Sequence, residues 1–71
     1  MSLNLEEKEK EILELNKKII SLEKFIAINL CFETFDEMQT LLINIQLNAM
    51  KSYSQALNAS ILFIHYKKIN Q

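Results

Sequence analysis

The chain has 71 residues, eight lysines, nine acidic residues and a net charge of −1, with no Gly, no Pro and one cysteine. A single Cys31 and a single His65 exclude an internal disulfide and a Cys/His zinc cluster within one chain. Missing Gly and Pro argue against tight hairpins and phosphate loops; missing Arg and the net acidity argue against nucleic-acid binding.

The composition favours long helices joined by one open loop. Asn4 and Glu7 form a capping box at the start of a first helix, read over about 4–29, after a frayed Met1–Leu3. Leu5, Ile12, Leu15, Ile19, Leu22 and Ile26 follow alternating three- and four-residue steps, with Lys8 filling one seam position. Leu13, Ile20 and Phe25 widen the stripe. Glu6–Lys10 and Glu14–Lys18 have the spacing of favourable ion pairs, each contributing about 0.2–0.5 kcal/mol. Glu7, Glu11 and Glu14 share a face with intervening lysines and read as a solvated charged surface rather than a metal site.

The periodicity lapses after Asn29. Residues 30–34 read as the loop, with Cys31 a small loop hydrophobe and Phe32 and Phe35 closing that end of the hairpin. Thr34 and Glu37 form a second capping box, and Asp36 adds negative charge to the first turn. The second helix is read over about 35–69.

Two apolar stripes run along this second helix. One comprises Met38, Leu42, Ile45, Ala49, Ala56, Ala59 and Phe63; the other comprises Ile43, Leu47, Met50, Leu57, Ile61 and Ile64. Their centres lie roughly 150° apart at 100° per residue, so the helix requires partners on two sides. The first helix supplies one. A second copy of the chain supplies the other, with Ile43, Leu47, Met50, Ala56, Leu57, Ile61 and Ile64 as the expected oligomer contacts. Helix lengths of about 37 and 50 Å leave Ile61–Ile69 projecting beyond the first helix, another surface expected to be buried between copies. The fold class is therefore all-α: a two-helix antiparallel hairpin within a homo-oligomeric bundle, as a dimer or tetramer.

No local spacing suggests a nucleophile and base, because Cys31 and His65 fall at opposite ends of the second helix. The chain reads as a non-enzyme without cofactor or metal. Two polar groups are candidates for ligand binding. His65, Tyr66 and Lys67, followed by Lys68, gather donors, aromatic faces and positive charge suited to a nucleotide-like ligand. Lys51 and Tyr53 lie near a polar strip of Gln46, Tyr53 and Ser60 between the stripes, which an oligomer turns into a pocket wall. The free cysteine, the acidic start and the absence of a spanning apolar run predict a cytoplasmic protein without a membrane partner.

The pattern Leu22-Glu23-Lys24-Phe25-Ile26, a gap holding Phe32 and Phe35, then Leu41-Leu42, Gln46-Leu47, Ala49-Met50 and Tyr53 resembles a family of short phage and prophage proteins related to a crAss-like phage protein. The resemblance spans about residues 12–64. It departs at Ser60, where those proteins commonly place a basic residue before the final Ile of the second helix. The resemblance implies a phage accessory protein that acts by binding, in counter-defence: it holds a cyclic nucleotide signal or blocks a host defence protein. A structural or regulatory bundle with no small-molecule ligand is the alternative.

Overall fold

The computed structural model describes residues 5–69, which form two helices: α1, Leu5–Cys31, and α2, Glu37–Ile69. They pack antiparallel into a rod of 54 × 18 × 16 Å. Asn4 and Met1–Leu3, read above as cap and frayed end, lie outside the described residues.

The seam between the helices follows a seven-residue repeat on both sides. On α1 it uses Leu5, Lys8, Ile12, Leu15, Ile19, Leu22, Ile26 and Asn29, with Ile19 and Ile26 buried and the rest half-buried. Lys8 occupies its expected place, laying its aliphatic stem along the seam. On α2 it uses Thr40, Ile43, Leu47, Met50, Ser54, Leu57, Ile61 and Ile64, with Leu47, Leu57 and Ile64 buried. The core cluster joins Ile19, Ile26 and Leu47, flanked by Leu15, Leu22, Ile43 and Met50.

Most of the expected oligomer contacts lie on this intrachain seam. Ile43, Leu47, Met50, Leu57, Ile61 and Ile64 face α1 of their own chain; of the seven residues assigned to contact a second copy, only Ala56 is exposed. The reason is volume. A narrow α1 stripe of Ile and Leu buries more apolar surface against the Leu- and Ile-rich stripe of α2 than against the one containing Ala49, Ala56 and Ala59.

The turn differs from expectation by two residues. Asn29 does not end α1. The Thr34 amide donates to the Asn29 carbonyl at 2.9 Å and the Glu33 amide to the Leu30 carbonyl at 3.2 Å, the paired bonds of a Schellman motif. Glu33 takes the left-handed position, with φ of 54°, where Gly is usual. Thr34 therefore finishes α1 rather than starting α2, and its hydroxyl donates to the Asn29 carbonyl and side-chain oxygen. The cap of α2 is Asp36. Its Oδ1 accepts from the Gln39 amide at 2.7 Å, and Gln39 Oε1 accepts from the Asp36 amide at 3.0 Å. Phe35 is half-buried and tilts against Phe25, with centroids 5.6 Å apart, so it closes the hairpin end as expected. Phe32 does not, being 73% exposed, and Cys31 is an exposed residue of the last turn of α1 rather than of the loop.

Moving the turn toward the C-terminus changes the pairing along the whole rod. Each residue of shift at the turn displaces the facing position by two, so α1 reaches further along α2. Glu9 now meets His65, and Ile61 and Ile64 pack against α1. The expected overhang of Ile61–Ile69 shrinks to the last turn, where Ile69 is 81% exposed.

Candidate functional site

Two flanks border the seam, and each presents a different chemistry. One carries an ion pair and a histidine–carboxylate contact. Lys51 Nζ lies 3.1 Å from Glu23 Oε2, and His65 Nε2 lies 3.6 Å from Glu9 Oε1. These fix two of the residues singled out from sequence onto α1 carboxylates. Being 14 positions apart on one helix, Lys51 and His65 stand about 21 Å from one another.

The opposite flank carries Tyr53. Its hydroxyl donates to Glu11 Oε2 at 2.6 Å. That hydrogen bond to a carboxylate, reinforced by desolvation and by the negative charge of Glu11, raises the phenol above its ordinary value near 10. Lys67 sits further along this flank with its Nζ 5.5 Å from the centroid of the Phe63 ring, a cation–π arrangement. Tyr66 belongs to neither flank; it is exposed on the face of α2 turned away from α1. Lys51, Tyr53, His65, Tyr66 and Lys67 thus do not converge on one pocket within a single chain.

The structure instead shows a groove of about 490 Å³ on the Tyr53 flank, lined by Lys17, Lys18, Ser21, Leu22, Phe25, Gln46 and Met50. Leu22, Phe25 and Met50 give it an apolar floor with one aromatic ring. Lys17 and Lys18 give it two ammonium groups, and Ser21 and Gln46 give it hydroxyl and amide donors and acceptors. Among the described residues neither the expected Glu14–Lys18 pair nor Glu6–Lys10 is formed, and the Lys51–Glu23 ion pair crosses between the helices. A flat apolar group on the floor and a phosphate at the rim match this combination.

Of these lining residues the sequence places Gln46 in the polar strip Gln46–Tyr53–Ser60, pairs Lys18 with Glu14, and marks Leu22, Phe25 and Met50 as packing residues. The signal for the rest was the juxtaposition of Lys17, Lys18 and Ser21 with Phe25, spaced to share one side of α1. Among the described residues no group of three or more His, Cys, Asp or Glu is placed to hold a metal ion.

Comparison with known proteins gives one family. The model described as Sequestin matches residues 6–59, which include every residue of the groove together with Lys51 and Tyr53, and end before His65, Tyr66 and Lys67. No curated protein and no solved structure matches the chain.

Proposed function

Since the chain belongs to the Sequestin family, we propose that it acts by capturing a ligand in stoichiometric amount and holding it unchanged. The observation that carries this reading is the family match itself, whose name denotes sequestration and whose span encloses the groove. The ligand is a cyclic nucleotide: the bases lie on Leu22, Phe25 and Met50, and the phosphates meet Lys17 and Lys18. The biological role is counter-defence by a phage or prophage protein in the host cytoplasm, removing a signalling nucleotide from its receptor. No step of this role requires a nucleophile, a metal or a cofactor. Among the described residues no helix is long and apolar enough to cross a membrane.

The proposed assembly is a homo-oligomer, in which a second copy walls the open side of the groove and supplies its own polar flank. A second reading, a structural or regulatory bundle with no small-molecule ligand, draws support from the long apolar face of α2.

The experiment is a thermal-shift series with cyclic mono-, di- and trinucleotides. A ligand present at a hundred times its dissociation constant adds about 2.7 kcal/mol of stability. A rise in melting temperature with one of these, and none with linear mononucleotides, supports capture. No shift with any of them favours the ligand-free bundle.

A further inference from the structure

One stripe of α1 runs along the groove flank. Glu11, Glu14, Lys18, Ser21 and Phe25 follow steps of three, four, three and four residues, and all are exposed. Lys18, Ser21 and Phe25 line the groove, whereas Glu11 and Glu14 lie beyond its edge. The stripe therefore passes from two carboxylates, through an ammonium and a hydroxyl, to an aromatic ring. Lys18 stands about 10 Å along the helix from Phe25, and Glu14 and Glu11 stand about 6 and about 10 Å beyond Lys18.

Both ends of this flank are closed by contacts to the other side of the hairpin. At the turn end Phe25 tilts against Phe35, with centroids 5.6 Å apart. At the far end Tyr53 donates to Glu11 at 2.6 Å. Tyr53 lies seven residues after the groove residue Gln46, so this bond is the next step along the same flank. It fixes an exposed carboxylate at the groove's end. The hydrogen bond to that carboxylate, desolvation and the Glu11 charge raise the Tyr53 phenol, so the charge is felt across the helix pair.

We propose that Glu11 and Glu14 form an electrostatic stop that rejects linear nucleotides, so that the groove holds a cyclic signal and refuses its opened product. The proposal rests on the capture reading above and names the residues that set its selectivity.

Ring opening supplies the chemical difference. Each phosphate of a cyclic nucleotide is a diester with one negative charge, confined by the ring. Hydrolysis adds water across one P–O bond and leaves a terminal phosphate of roughly −1.5 to −2 charge, on a chain free to extend. With a base on Phe25 and a phosphate at Lys18, extension toward the turn meets the Phe25–Phe35 pair, which offers no cation. Extension the other way carries the terminal phosphate past Lys17 and Lys18 onto Glu14 and Glu11. Repulsion there penalises the linear form and leaves ring-closed phosphates beside the lysines. A protein that captures its ligand one for one then keeps its sites clear of spent signal.

The test compares cyclic di- and trinucleotides of adenosine and of guanosine with the linear products of opening one phosphodiester, each ending in a terminal phosphate. Affinities are read by titration calorimetry. The native chain is expected to prefer the cyclic member of a pair. In the double variant Glu11→Gln, Glu14→Gln, with helical circular dichroism retained, the linear member is expected to gain about tenfold relative to the cyclic one. A second measurement needs no variant. Raising ionic strength from about 0.01 to about 1 M shortens the screening length from roughly 30 to roughly 3 Å. With a stop, repulsion fades and the cyclic preference narrows. Without one, the more highly charged linear form loses more of its attraction to the lysines, and the preference widens. A native chain without cyclic preference, a preference unchanged in the folded double variant, or one that widens with salt overturns the proposal and leaves capture standing. Failure of every cyclic probe to bind the native chain overturns both.

Discussion

Tyr53 of α2 donates its phenol proton to Glu11 of α1 at 2.6 Å, and this bond ties the two helices near the middle of the rod on the groove side. It also sets a measurable property. The raised phenol value in the folded state means that the protonated form is favoured by folding. Its contribution is fully present below the ordinary value near 10 and is lost as pH rises through the folded value. Glu11→Gln is expected to return Tyr53 toward its ordinary value, read by tyrosinate absorbance against a Tyr66→Phe background. An unchanged titration would show that Glu11 does not govern Tyr53.

At the edge of the seam, Ser54 donates to the exposed Asn16 Oδ1 at 2.8 Å. Its neighbour Leu57 is the most buried residue among those named in the core, at 4% exposure. Leu57→Ala is expected to destabilise the hairpin by about 2–5 kcal/mol, seen in the urea midpoint. Leu62→Ala, at a residue 59% exposed and off the α1–α2 seam, is expected to change it far less.

The cap assignment separates two neighbouring acidic residues. Asp36→Ala removes the side chain that accepts from the Gln39 amide and is expected to lower stability by about 1 kcal/mol. Glu37→Ala, which removes the acidic member of the capping box read from the sequence, should leave the melting temperature nearly unmoved. Equal effects would contradict the observed capping box.

Glu33 holds a positive φ of 54° without the freedom of glycine. Glu33→Gly is expected to raise stability by a few tenths to about 1 kcal/mol, since relief of the left-handed strain outweighs the added freedom of the unfolded chain. A fall in melting temperature would show that Glu33 makes a contact of greater value than the strain.

The helices and their packing were legible because the α1 stripe is a regular seven-residue pattern with few competitors. The turn was less so. Two cap patterns, Thr34 with Glu37 and Asp36 with Gln39, overlap by two residues, and local spacing cannot rank them. The choice was made by the end of α1, where the Schellman bonds from Glu33 and Thr34 use Thr34 up. That displacement then propagated to the far end, turning Ile61 and Ile64 from a predicted overhang into seam residues. The two stripes of α2 were read correctly as opposed faces, but not which of them meets α1, because periodicity gives direction around a helix and not the volume of the partner. The candidate ligand residues were scattered for the same reason. Lys51 and Tyr53 are two apart in sequence and lie on opposite flanks, while Lys18 and Gln46, 28 positions apart, line one groove.

The central claim is capture without conversion, and recovery of the ligand tests it most directly. The chain is incubated with the cyclic nucleotide that stabilises it, separated from free ligand, denatured by heat, and the released molecule weighed by mass spectrometry. The account predicts a fixed ratio of ligand to chain and an unchanged mass. Depletion of ligand beyond that ratio, or a linearised or hydrolysed product, would contradict it.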